Sequence, residues 1–374
     1  MFSIDRRIFA HMDWRLVGVM GVILVLGITT IYSVTPQWSH GGTPLYLKQA
    51  AWVALGVVAF LAFAALDYDR LLGYAYYLYW FSLGLLVVVA FLGREGMGAQ
   101  RWVDVGGFSV QPSEPAKLAL ILCLARYFST RLGSEGYRFR ELLLPAAMVG
   151  APFALILRQP DLGSALMVLF VFGMMLLVVG VRRRSLMLGS LLAGMALPFF
   201  WEFFWHSLKS YQQNRLKIFF NPGSDPLGSG YHVTQSKIAI GAGGLLGQGY
   251  LQGTQSQLKF LPEGHTDFIF SVFAEQWGFL GVTVLLLLFA GLVYRGMDIA
   301  RKARDPAGML VAAGIVGMIS FHIFVNLAMT LGLAPVVGVP LPLMSYGGTS
   351  LVTTMAALGI LVNVRLQRRL ALYR

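Results

Sequence analysis

Charge is what this sequence has least of. Only 12% of its 374 residues are Asp, Glu, Lys or Arg, against roughly 25% in a soluble domain. Cysteine is nearly absent too: Cys123 is alone, so no intrachain disulfide is possible and no Cys/His zinc spacing exists. Acidic residues number 17 against 29 basic ones, for a net charge of +12. That charge sets no nucleic-acid partner on the table, because it forms no basic face and comes with no recognition motif. A small-residue cleavage site is also missing behind the basic start "MFSIDRRIFAHMDWR". The first apolar segment is therefore expected to be a retained helix and not a signal peptide.

Apolar residues fill the space that charge leaves. At 57% hydrophobic, the chain holds more apolar surface than one water-soluble core hides, which defines a membrane protein. Runs of spanning length fall at 15–35, 47–66, 71–92, 113–132, 141–158, 161–180, 185–206, 267–294, 308–333 and 345–365. The expected fold is an all-α integral membrane protein, a single multi-pass domain over 1–374 with ten transmembrane helices. Basic clusters occupy alternate connections, which places both termini in the cytoplasm. One long extracytoplasmic loop, about 207–266, then lies between helices 7 and 8. Within it "YQQNRLKIFF" suits a helix lying at the interface, and "NPGSDPLGSG" is a string of turn signals. "GAGGLLGQG" misses the dinucleotide fingerprint at its third position, Leu246. It reads as flexible backbone that approaches a ligand closely.

Ionisable groups at the mouths of membrane helices are functional candidates by default. Four clusters qualify. In "QRWVDVGGFSVQPSEPAK", Arg101, Gln111, Ser113, Glu114 and Lys117 concentrate polar groups at headgroup depth. The plain alternative is a helix capped by Ser113 with one surface ion pair. In "RQPDLGS", Pro160 breaks a helix and Asp161 caps the next, beside Gln159. Ser236 and Lys237 sit on a half-apolar segment where a lipid phosphate is a plausible neighbour. In "LPEGHTDFIFSVFAEQWGFLG", Asp267 lies at the first turn of the eighth span, with His265 and Thr266 before it. Ser271 and Glu275 follow at four-residue steps, a stripe running about 12 Å along the helix. A cap does not need that second carboxylate; buried, Glu275 must be paired, protonated or facing water. Finally "GLAPVVGVPLPLMSYGGTS" is apolar yet barred from helix by its prolines, so it should lie pressed into the bundle. Ser345 then starts the last span.

These motifs, five of them in order over nearly the whole chain, closely resemble the SEDS family of peptidoglycan polymerases. "GTQSQLKFLPE" and the short N-terminal tail resemble its elongation branch more than its division branch. One departure is Gln276, where the family often has a second Glu after Glu275. The resemblance implies glycosyl transfer on the outer membrane face: lipid II is polymerised into glycan strands and undecaprenyl pyrophosphate is released. It makes Asp267 the catalytic carboxylate. Arg101, Lys117 and Lys237 are then the preferred cations for the pyrophosphate, with Gln111, Ser113, Glu114, Gln159, Asp161, Ser236, His265, Thr266 and Ser345 as further substrate contacts. Glu275 is left as structural or cavity-lining. No organic cofactor is implied, and a divalent cation, Mg²⁺ or Mn²⁺, bridging pyrophosphate and carboxylate is chemically reasonable. Implied partners are a class B penicillin-binding transpeptidase and the elongation proteins MreC, MreD and RodZ. Two competing functions are a lipid II flippase and a non-catalytic scaffold for the transpeptidase. A flippase predicts polar groups at the midplane or cytoplasmic half, whereas the unusual polar residues here fall outside.

Overall fold

The structure is a computed structural model. It describes residues 12–35, 43–96, 99–105, 108–130, 136–207, 213, 218–219, 229–258, 260–261 and 263–372. "NPGSDPLGSG" and "YQQNRLKIFF" lie almost wholly outside the described residues.

The chain is mostly helical. Its elements are α1 Trp14–Val34, α2 Leu45–Ala65, α3 Tyr68–Gly73 and α4 Ala75–Leu92. Three strands follow, β1 Arg94–Gly96, β2 Ala99–Val105 and β3 Phe108–Val110. Then come α5 Ser113–Ser129, α6 Phe139–Arg158, α7 Leu162–Val179 and α8 Arg183–Ser207. The rest are α9 Ser229–Ala242, α10 Thr254–Gln257, α11 Ile269–Arg301, α12 Pro306–Thr330 and α13 Gly348–Leu372. Among the described residues, seven helices are long and apolar enough to cross a membrane: α1, α2, α6, α7, α11, α12 and the Gly348–Arg368 part of α13. Ala75–Phe91 is a shorter apolar helix.

The strands correct the all-α expectation. They form one antiparallel sheet in the order β1-β2-β3, with Val103 opposite Val110 and Asp104 opposite Ser109. A second correction is local: the run expected at 71–92 is two helices, α3 and α4, meeting at Tyr74.

Two compact units divide the chain. The first holds Met1–Ala65, Arg215–Asp298 and Ile319–Val362; the second holds Leu66–Asn214, Ile299–Met318 and Asn363–Arg374. In the second unit α5 buries nearly every side chain from Ser113 to Phe128, as a helix enclosed by others must. Phe128 stacks edge-on against Tyr137, 5.1 Å between centroids, and the Tyr137 hydroxyl donates to the Phe128 carbonyl at 2.8 Å.

In the first unit α11 is broken. Gly278 adopts φ 61°, ψ −164° inside it. An intact helix would bond the Phe279 N–H to the Glu275 carbonyl and the Leu280 N–H to the Gln276 carbonyl. Instead Phe279 donates to Gly244 at 2.9 Å and Leu280 to Leu245 at 3.1 Å. The freed carbonyls accept from the same loop: Glu275 from Gln248 at 2.9 Å, Gln276 from Gly249 at 3.2 Å. The loop thus splices two missing rungs. Glycine is needed for the approach: a Cβ on Gly243 or Gly247 would lie 2.1 Å from a carbonyl oxygen of α11, and one on Gly278 2.2 Å from the Gly247 nitrogen. The glycine-rich segment therefore meets the chain's own helix.

Candidate active site

Asp267 stands at the entrance of α11. The helix begins at Ile269, after turns over 263–268, so Asp267 precedes the first turn by two residues and does not belong to it. Its main chain is clamped. The Asp267 carbonyl accepts from Asn326 Nδ2 at 3.0 Å, and the same amide reaches the Val339 carbonyl at 2.8 Å. One residue back, the Thr266 carbonyl accepts from Ser345 Oγ at 2.7 Å, which itself accepts from the Leu341 N–H at 2.8 Å. The His265 carbonyl accepts from the Tyr346 N–H at 2.9 Å.

The segment His265–Thr266–Asp267 is thereby stitched to the proline-rich connection between α12 and α13, whose residues 341–345 are buried. Three prolines keep that connection out of helix, and its polar groups find partners in the 265–267 main chain. Gln49 of α2 joins by donating to the Ser345 carbonyl at 3.1 Å. The Asp267 side chain is half-buried and runs beside Gly338, where φ is 73° and a Cβ would sit 3.7 Å from Oδ2. Burial lowers the His265 pKa, opposed by the negative charge of Glu263. The His265 and Tyr346 rings lie 5.8 Å apart.

The stripe below Asp267 is real and has structural partners. Ser271 and Glu275 are fully buried. Ser236 donates to the Thr330 carbonyl at 2.6 Å and meets Ser271 Oγ at 2.6 Å, which ties α9 to α11 and α12. Lys237, next along α9, is exposed and lies against Gly332, where a Cβ would come 2.6 Å from Nζ. Glu275 accepts from the Gln255 N–H at 2.7 Å, the Ser256 N–H at 3.1 Å and Thr254 Oγ1 at 3.4 Å. It is a side-chain cap on α10 delivered from another helix, satisfying donors that the short helix cannot.

The remaining candidates sit in the second unit. Asp161 caps α7 through the Ser164 N–H at 3.1 Å. It also accepts from Gln111 Nε2 at 3.0 Å and lies 3.9 Å from the Arg101 guanidinium. Arg101 further donates to the carbonyls of Gln159 and Pro160, while Gln159 Nε2 reaches the Leu86 carbonyl at 2.7 Å. Arg101, Gln111, Gln159 and Asp161 are thus one cluster. Glu114 and Lys117 pair at 2.7 Å, both buried, so theirs is not a surface ion pair. Ser113 does not cap α5: Pro112 holds that position, and Ser113 Oγ is buried with no hydrogen-bond partner among the described residues.

Sequence reasoning missed Asn326 and Gln49. Both are buried polar residues inside apolar runs, and that incongruity was the available signal. Among the described residues no group of three or more His, Cys, Asp or Glu gathers as a metal cage.

The apolar helices of spanning length mark a multi-pass inner-membrane protein with a clamped carboxylate at one helix mouth. It belongs to the FtsW/RodA/SpoVE family of cell cycle proteins, whose model matches residues 8–370. It is 39% identical over 351 residues to the peptidoglycan glycosyltransferase MrdB of Escherichia coli strain K12, covering 93% of this chain and 94% of that one. Among solved structures it is similar to a chain of a peptidoglycan synthase complex, studied for the coordination of polymerization and crosslinking. That likeness has TM-score 0.81 and 35% identity, over 96% of this chain and 98% of the other. It is also similar to the rod shape determining protein RodA of Thermus thermophilus, with TM-score 0.70 and 34% identity over 96% and 97% of the two chains.

Proposed function

We propose that the chain is a peptidoglycan glycosyltransferase of cell elongation in which Asp267 is the general base. The family and the named relatives support the activity. The observation that carries the role of Asp267 is its setting: a half-buried carboxylate on a main chain fixed by Asn326, Ser345 and Tyr346. We infer ten spans, adding α4, α5 and α8 to the seven apolar helices, with both termini cytoplasmic and the 207–266 loop and Asp267 outside. The basic clusters on alternate connections support that orientation.

The substrate is lipid II. An aspartate is ionised at neutral pH, so Asp267 accepts the proton of the acceptor sugar 4-hydroxyl. The acceptor oxygen then bonds to the donor anomeric carbon as its bond to pyrophosphate breaks, and undecaprenyl pyrophosphate leaves. The departing charge needs a cation. Lys117 is engaged by Glu114, and Arg101 by Asp161 and two carbonyls. Lys237 is exposed, so it takes the pyrophosphate, while Arg101 and Lys117 shape their own unit. A bound Mg²⁺ or Mn²⁺ would rest on Asp267 and the substrate phosphates, since one or two carboxylates suffice for such an ion; it would neutralise charge on the leaving group.

The partner proposed is a class B penicillin-binding transpeptidase, alongside MreC, MreD and RodZ. The likeness to a peptidoglycan synthase chain supports the transpeptidase. Purified lipid II and the Asp267→Asn variant test the mechanism. Polymerisation should fall roughly 10²–10⁴-fold with thermal stability unchanged; a wild-type rate would sink it.

A further inference from the structure

The loop that splices α11 carries two adjacent exposed leucines. Leu245 and Leu246 are 71% and 77% exposed. Their depth is fixed by hydrogen bonds, because Gly244 and Leu245 accept from Phe279 and Leu280. Phe279 and Leu280 are themselves exposed, and so are Val284 and Leu287 further down the same membrane-spanning helix.

The ruler along α11 is simple. No Asp, Glu, Lys, Arg or His occurs from Gln276 to Tyr294, and Arg295 follows, paired with Asp13 at 2.9 Å. The uncharged run Trp277–Tyr294 rises about 27 Å, close to the hydrocarbon thickness of roughly 30 Å. Leu280 lies three residues inside that run, about 5 Å below its upper edge. At the edge itself, Trp277 of the helix and Tyr250 of the loop stand 6.4 Å apart, and both are partly exposed. That is the level at which Trp and Tyr collect in membrane proteins. Irregular backbone at such depth is tolerated only where its polar groups are satisfied, and the four splicing bonds supply that.

We propose that residues 243–250 form a re-entrant loop within the membrane, its Leu245–Leu246 tip in contact with lipid acyl chains of the leaflet on the Asp267 side. The occupant of the exposed patch is lipid, because Leu245 is hydrogen-bonded to Leu280, among the exposed apolar residues of the spanning helix α11. The inference rests on the membrane reading and not on glycosyl transfer.

A nitroxide label tests it. Cys123, the sole cysteine, is replaced by Ala, and Leu246→Cys is labelled in the full chain in nanodiscs of phosphatidylethanolamine and phosphatidylglycerol. Collision with oxygen and with a water-soluble nickel chelate is then measured. Leu287→Cys serves as the lipid reference and Lys302→Cys, exposed next to the end of α11, as the water reference. The oxygen-to-nickel ratio at 246 should lie well above that at 302 and below that at 287, because the tip is about 5 Å inside the apolar run and Leu287 about 15 Å. A ratio like that at 302 would place the loop in water and overturn the proposal. Low collision with both would mean that protein covers the tip, which overturns it equally. Leu245→Cys repeats the measurement should the first variant fail to fold, and neither readout depends on catalytic activity.

Discussion

Among the described residues two glutamates are buried, Glu114 and Glu275, and they are satisfied in opposite ways. Glu114 in the second unit holds a cation, Lys117, three residues along its own helix. Glu275 in the first unit has no cation within an ion-pair distance among the described residues and is held by two main-chain N–H groups and a hydroxyl. Glu114 depends on one neighbour's side chain, Glu275 on the path of a loop some 20 residues away. A local ion pair is indifferent to loop structure, whereas a carboxylate that caps a distant turn records whether that turn is in place.

Breaking the ion pair should have the largest effect on stability. Lys117→Met alone leaves Glu114 buried and uncompensated, at about 3–5 kcal/mol. Thermal unfolding of the purified protein measures it. Adding Glu114→Gln should return most of the loss, because a neutral pair of similar volume carries no buried charge. A single variant as stable as the wild type would show that the pair holds nothing. Glu275→Gln should cost less, about 1–3 kcal/mol, since one carbonyl oxygen still faces the α10 donors. Its signature is local: amide exchange at Gln255 and Ser256 should speed up while the core of α5 stays protected. Uniform change across both units would erase the contrast between the two glutamates.

The smallest effect concerns His265. Burial holds its pKa below the ordinary value, so on acidification the unfolded chain takes up the proton first. Stability from this group is complete above the unfolded pKa of roughly 6.5 and is lost as pH falls towards the lowered folded value. His265→Gln should flatten the acid side of the melting-temperature profile. An unchanged slope would assign the acid sensitivity to other groups.

Much of this was legible because it is local. Asp161 caps α7 as a carboxylate before an apolar run should, and the buried connection after α12 follows from apolar residues that prolines bar from helix. The sheet was legible in principle: "VDVGGFSV" is two alternating runs around a glycine pair, a hairpin signal, but its strands are only three to seven residues long and were overshadowed by the polar cluster around them. The role of Glu275 was not legible. Its i, i+4 relation to Ser271 and Asp267 points along the helix, but its partners come from residues 254–256. The splice at Gly278 is hidden for the same reason, since each replaced rung is a pairing between distant segments. Asp267 itself was legible as a helix-mouth carboxylate, while its clamps through Asn326 and Ser345 arise only when the last spans fold beside it.

Surface loops usually accept insertions and deletions because their length is not tied to anything. The segment from Gly244 to Gly249 is different. It meets Phe279 and Leu280 at one end and Glu275 and Gln276 at the other, so its span must match the gap in a helix. Removing one residue would leave an amide or a carbonyl of α11 without its partner. This stretch is therefore measured like a strand in a sheet, and length variation between related chains should collect on either side of it and not within it.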